Sequence, residues 1–262
     1  MTRHLVGSAL DEAELLARVA GAGAASELGH IDTLHGARVY VRDADRAARY
    51  LGAGSLVLDW GAGAGQMSWL LARRGLRVIA CDLPGTDPVP ALVEDVEHVR
   101  LDRPDRLPFA DGAFDAVLSS GTLEHAGSVA DSLRELRRVL SPAGRLVIFR
   151  FPNQLSISEW VARRGGRWAH GVRMSRSELR FLLRSHGFRV DGMGYDSWLP
   201  IWLVRRLRWL RPVRTGLDGA WTGVDGLLVR TPLVARLSTS LWCFAAVNTE
   251  YPPPRPGGAG GR

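Results

Sequence analysis

Lysine is missing altogether: all 34 basic residues of this 262-residue chain are arginines. Against 27 acids they leave a formal net charge of +7 and a pI near 10.5. The guanidinium suits phosphate and carboxylate partners. A coding bias that also enriches Ala and Gly gives the same excess, so charge alone selects no partner. Cysteine is scarce too. Cys81 and Cys243 each sit in an apolar run, which argues against a disulfide framework or a cysteine metal site and fits a reducing cytoplasm. No stretch holds 18 uncharged apolar residues, so no spanning helix is expected. The opening MTRHLVGSALDEAELLARVA carries Asp11, Glu12 and Glu14 early and has no long apolar centre, so it is not expected to be a secretory signal. No internal repeat and no His/Cys/carboxylate cluster stand out, and no metal site is expected.

What is present is alternation. With 46% hydrophobic residues, the chain can bury one large core, with or without an appended lid. Residues 8–20 show helical spacing with Ser8 as N-cap, GAGAAS (21–26) is a loop, and 43–51 is a short helix. Strands follow at 56–60, 76–82, 98–102, 114–121, 145–151 and 188–195, with helices at 65–74, 88–95, 128–140 and 175–186. LWCFAAV (241–247) is a last buried strand. Strands alternating with helices predict a parallel sheet covered on both faces. The expected organisation is a helical extension over 1–36, a core over 37–195, an insert over 196–240, a final core strand within 241–250 and a disordered Pro/Gly tail at 251–262.

The stretch VLDWGAGAGQMSWLL (57–71) raises the functional question. An apolar run ends at Asp59 and Trp60, and Gly61, Gly63 and Gly65 follow before a helix. Glycine lets backbone approach a ligand because no Cβ intervenes. By itself the motif equally describes a tight β–α turn. Its context narrows the choice: Asp82 closes the next strand, 21 residues after Gly61, where an acid can accept both hydroxyls of a ribose. The third glycine comes one residue too early for the dinucleotide pattern G-x-G-x-x-G, which disfavours NAD.

VLDWGAGAG, CDLPG, RLPFADGAFDAVLSSGTLEH and ELRRVLSPAGRLVIF together resemble the successive motifs of class I S-adenosylmethionine-dependent methyltransferases, within the subgroup that includes the ubiquinone/menaquinone enzymes. The resemblance covers roughly 38–195. It implies an α/β fold: a Rossmann-like, doubly wound seven-stranded sheet whose last strand is antiparallel, here reached after a helical basic insert. It implies S-adenosyl-L-methionine as cofactor. Gly61, Gly63, Gly65 and the backbone around Trp60 would line its methionine part. Asp59 would orient the loop and meet the amino group. Asp82 would hold the ribose with Leu83 beside the adenine, and Asp102 would meet the adenine amine with Arg103 adjacent. Asp102 lies five residues before Leu107, where the family usually has four. Ser119 and Ser120 should face the sulfonium, or simply cap a strand end.

Methyl transfer from a sulfonium is an in-line displacement in which the protein mainly aligns the nucleophile and excludes water. A base is needed only if the acceptor loses a proton. His125, in TLEHAG, is the candidate base; a loop-bracing histidine is the alternative. His170 and Tyr195 are weaker candidates. SSGT (119–122) is not the Asn-Pro-Pro-aromatic run of amino-methylating nucleic-acid enzymes, and no recognition module is present, so nucleic acid is not the expected partner. In FPNQLSISEW (151–160), Asn153, Ser156 and Glu159 could bond an acceptor, or Ser156 or Ser158 could cap a helix. WLPIWLVRRLRWLRPVR (198–214) holds Trp198, Trp202 and Trp209, five arginines and no acid. That composition suits either a lid or an anionic membrane surface. The reading is O-methylation of a hydrophobic small-molecule, lipid-linked or glycan acceptor by an enzyme expected in the cytoplasm or at the membrane periphery. The alternatives are C-methylation of a quinone-like or polyketide-like ring, and a non-catalytic membrane-peripheral module. Oligomeric state is not legible.

Overall fold

The computed structural model describes residues 9–21, 31, 33–85, 87–103, 106–164, 170–198 and 223–251. The Ser8 cap, the 21–26 loop beyond Gly21, residues 199–222 of the insert and the tail beyond Tyr251 lie outside the described residues.

Seven strands form one sheet: β1 (Leu56–Trp60), β2 (Arg77–Asp82), β3 (Glu97–Arg100), β4 (Phe114–Ser120), β5 (Leu140–Pro152), β6 (Phe188–Asp196) and β7 (Ser240–Val247). Their order is β3-β2-β1-β4-β5-β7-β6. β1 to β5 pair in parallel, and β7 lies antiparallel between β5 and β6. The expected doubly wound sheet with one antiparallel strand is present.

Both faces are buried because successive strand residues feed opposite layers. Val57, Ala116, Leu118, Val147 and Phe149 pack on one side with α1 (Ala9–Gly21), α2 (Leu34–Leu51) and α3 (Gln66–Ala72). Leu58, Val117, Leu146 and Ile148 pack on the other with α5 (Val129–Val139) and α7 (Arg176–Ser185). The short α4 (Pro90–Val93) precedes β3, and α6 (Ile157–Arg164) follows β5.

Local chemistry sets the helix starts. The Thr33 hydroxyl accepts from Gly36 N at 3.0 Å, the Ser128 hydroxyl accepts from Asp131 N, and Ser175 forms a capping box with Glu178. Three expectations change. α2 begins at Leu34 rather than 43, so the expected boundary at 36/37 falls inside a helix. The helix expected over 88–95 shortens to four residues behind Pro90. β5 begins at Leu140, because the pairing of Phe114 with Leu140 resumes past a register shift. In the insert, 223–228 and Pro232–Ala235 are helical.

Phe149 is fully buried, with its ring edge-on to Phe244 at 5.9 Å. Phe149→Ala is expected to lower the unfolding free energy by about 3–5 kcal/mol. Phe181→Ala, at a side chain 74% exposed on α7, should change it by less than about 0.5 kcal/mol. Urea titration of both variants checks the contrast.

Candidate functional site

The turn after β1 is built from left-handed backbone. Gly61, Gly63 and Gly65 have φ of +73°, +58° and +90°, a region L side chains rarely adopt. Space demands glycine as well. A Cβ on Gly61 would stand 2.2 Å from Thr122 Cγ2, and one on Gly65 2.5 Å from Val93 Cγ1. The amides of Gly61 and Ala62 both donate to the Cys81 carbonyl, at 2.9 and 3.1 Å, fastening the turn to the end of β2. The Asp82 carboxylate accepts from Gly63 N and from Leu83 N, each at 2.7 Å.

Asp59 lies beneath this turn. It is buried and accepts from the Ser68 hydroxyl of α3 at 2.6 Å. Burial pushes its carboxyl up to about 6; the bond from Ser68 opposes that shift and the charge of Asp82 adds to it. The Trp60 side chain packs in the core, leaving only its backbone at the edge. Leu83 is 38% exposed. Asp102 and Arg103 are exposed just past β3, while Leu101 N donates to Asp82 O at 2.8 Å.

The end of β4 closes the other side. Ser119 is buried, and its hydroxyl has no hydrogen-bond partner; the buried Gln66 Oε1, first in α3, also has none. Ser120 accepts from Arg150 Nη1 at 2.5 Å. Gly121, at φ +71°, turns the chain into a 3₁₀ turn over Leu123–His125.

Sequence reasoning missed two further groups at this edge. Arg150 has φ +60° inside β5, beside the register shift between Ile148 and Phe151. Its guanidinium bonds buried Asp43 Oδ2 at 2.9 Å and stacks on Tyr40, 3.5 Å from the ring centre. Arg42 bridges Asp43 and Asp196. The second is missed only as a group: His125, His170 and Glu159 are candidates in the sequence, and the fold brings Glu124 to them. Glu159 accepts from His170 N at 3.1 Å and pairs with its Nδ1 at 2.8 Å. The rings of His125 and His170 lie 5.4 Å apart. Glu124 is buried, which drives its carboxyl up to about 7. Burial, and then the charge of His170, lower the His125 pKa.

No metal cluster was expected, yet Glu124, His125 and His170 each present a ligand atom within 4.8 Å of the others. Their positions in the chain hid this, since Glu124 and His170 meet only through the fold. Other expectations shift as well. Asn153 donates to the carbonyls of Arg236 and Ser238 and so straps two loops together. Ser156 accepts from Glu159 N, in the helix-capping role. The Tyr195 ring lies under Arg176 on β6.

The residues fit S-adenosylmethionine. The turn has no room for a Cβ at Gly61 or Gly65, the Asp82 carboxylate closes β2 beside it, and two buried polar atoms, Ser119 Oγ and Gln66 Oε1, have no hydrogen-bond partner.

Residues 58–148 match the methyltransferase-domain family. The demethylmenaquinone methyltransferase of Thermobifida fusca is 39% identical over 126 residues, 43% of this chain and 50% of that protein. The chain thus spans about half the length of the relatives it matches. A chain from the complex of the Haloferax volcanii Trm112 methyltransferase activator with a methyltransferase superposes with a TM-score of 0.56, at 20% identity, over 92% of this chain and 98% of its own. Haemonchus contortus phosphoethanolamine N-methyltransferase 2, in complex with S-adenosyl-L-methionine, gives 0.53 at 22% identity over 79% and 52%. These structures share the fold.

The folded chain holds the Asp59 proton more tightly than the unfolded chain, in which a carboxyl titrates near 3.8. The resulting stabilisation is complete below about pH 4 and is lost as pH rises through 6. Between pH 4 and 7, unfolding stability should shift by about 3 kcal/mol in favour of Asp59→Asn relative to the unaltered chain, at 1.36 kcal/mol per pKa unit. Urea titrations across that range check this, and a constant difference contradicts the assignment.

Proposed function

We propose that this chain, which carries a class I S-adenosylmethionine-dependent methyltransferase domain, methylates an oxygen of a hydrophobic small-molecule, lipid-linked or glycan acceptor. One observation carries the reading: the glycine cradle with Asp82 stands beside Ser119–His125, so a cofactor site and a titratable cluster share one sheet edge. When bound, the cofactor supplies a methyl group already activated on a positive sulfonium.

The chain's own groups bind, align and shield. The backbone of Gly61, Gly63 and Gly65 takes the methionine part. A carboxylate has about four lone-pair positions, so Asp82 can keep its bonds to Gly63 and Leu83 while accepting from both ribose hydroxyls. Leu83 covers the adenine, and Asp102 and Arg103 border its amine. Ser119 and Ser120 line the transfer path. His125, whose pKa is lowered by burial, stays neutral near pH 7 and accepts the acceptor's hydroxyl proton.

The rim supports an apolar acceptor. Leu155, Ile157, Trp160 and Val161 at α6, and Leu227, Leu233 and Leu237 of the insert, are exposed. Ile157 N donates to Leu237 O and joins the two segments. Among the described residues no helix is long and apolar enough to cross a membrane. The arginine and tryptophan run of 198–214 is the sequence feature that favours contact with anionic lipid. A second reading, C-methylation of a quinone-like ring, draws on the similarity to demethylmenaquinone methyltransferases.

Calorimetric titration should give micromolar binding of S-adenosylmethionine and S-adenosylhomocysteine. Asp82→Ala should weaken it at least tenfold, since two charge-assisted hydrogen bonds are lost. Gly63→Val should abolish it. No binding to the unaltered chain would favour a non-catalytic module. In an acceptor assay, His125→Ala should lower turnover by about 10²–10⁴-fold; undiminished turnover would remove His125 as the base.

A further inference from the structure

We infer that Glu124, His125 and His170 form a binding site for one divalent transition-metal ion of the zinc or cobalt type. Two imidazoles and one carboxylate are a ligand set suited to such ions. Magnesium and calcium, which prefer oxygen donors throughout, fit it poorly.

Geometry comes first. Glu124 Oε1 stands 3.8 Å from His125 Nε2, and one ligand atom from each of the three residues falls within 4.8 Å of the others. Around a tetrahedral zinc with bonds of about 2.0–2.1 Å, neighbouring ligand atoms lie about 3.3 Å apart. The set therefore has to close by about 0.5 Å between Glu124 and His125 and by at most about 1.5 Å elsewhere. Closure falls to the His125 side chain, 48% exposed, while the buried Glu124 and the braced His170 supply the fixed points.

The bracing is the second observation. Glu159 takes both the backbone amide and Nδ1 of His170. A proton on Nδ1 completes the 2.8 Å bond to the Glu159 carboxylate. The lone pair then sits on Nε2. A carboxylate that fixes a histidine's tautomer and ring direction from behind is the usual outer support of a metal-ligating imidazole.

Third, Glu124 is a carboxylate with 3% of its side chain exposed. The guanidinium facing it is that of Arg150, which is already bonded to Asp43 and Ser120. A buried carboxylate in this setting is costly to ionise, and a divalent ion offsets that cost.

Three protein ligands leave a fourth position for water or an acceptor oxygen. Resting on the methyl-transfer reading, an ion there would lower the pKa of a ligated acceptor hydroxyl, whose proton would pass to solvent water, in place of proton acceptance by His125, whose lone pair the ion would occupy.

The test uses tag-free full-length chain, stripped with a chelator and titrated with Co²⁺ alone, without cofactor. One equivalent should bind with visible d–d absorption and be displaced by Zn²⁺. Glu124→Gln and His170→Asn should each weaken binding at least tenfold, and Glu159→Gln about 10–100-fold. His186→Asn, on the far end of α7, should leave it unchanged. Histidine NMR of the unaltered chain needs no variant: Co²⁺ should broaden the rings of His125 and His170 selectively among the seven histidines. Absence of stoichiometric binding, binding indifferent to Glu124→Gln, or broadening confined to other histidines overturns the site. Cofactor binding is measured separately, so the metal site and the proposed function fail independently.

Discussion

Parallel pairing of β1 through β5 dictates where the chemistry of this protein sits. Parallel strands all end at one edge, and that edge is where loops can differ without disturbing the core. Asp59 to Gly65, Asp82, Ser119 to His125 and Arg150 to Glu159 are far apart in sequence but follow strand ends on one side of one sheet. The constraint also explains the severity of the glycine requirement. With β1 paired to both β2 and β4, the turn leaving β1 is squeezed between the loops of its neighbours. Thr122 and Val93 occupy the volumes that side chains at Gly61 and Gly65 would need.

Arg150 shows how the same edge is anchored to the helices behind it. A left-handed backbone at a non-glycine residue costs of order 1–3 kcal/mol. Here it accompanies an interruption of the β5–β7 ladder and sends the guanidinium to Asp43, Tyr40 and Ser120. Asp43 lies in the buried face of α2 together with Tyr40. One side chain thus ties the end of β4 to a helix that belongs to the N-terminal layer. Asp43 is paired with Arg42 as well, so two guanidiniums share this buried carboxylate.

The parts of the fold legible in sequence are those fixed by neighbours in the chain. The strand–glycine–helix succession at 56–72 and the helices over 128–140 and 175–186 declare themselves within a few residues. α2 did not, because its first two turns bury His35 and Gly36 next to Val39 and Tyr40, and the apolar stripe is broken by groups that pair only in the folded chain. Asn153 reads as a possible acceptor contact in sequence, but its amide is spent on the carbonyls of Arg236 and Ser238, while Ser156 takes the capping role that was its alternative. Glu124 is the converse: ordinary in sequence, yet close to His125 and His170 in space. Composition could not reveal this, because the contact is made by two loops leaving different strands.

β7 sits between β5 and β6 although it is the last strand in the chain. Among the described residues β6 pairs with no other strand, and β5 has no other neighbour on that side. During synthesis, β6 and one edge of β5 must therefore wait while the whole 197–239 stretch is added. Exposed strand edges are the surfaces through which chains associate wrongly. The interval before residues 240–247 leave the ribosome is thus a period of vulnerability for the nascent protein. A ribosome stalled within it would hold a chain whose β6 has no mate and whose β5 is paired on one side only.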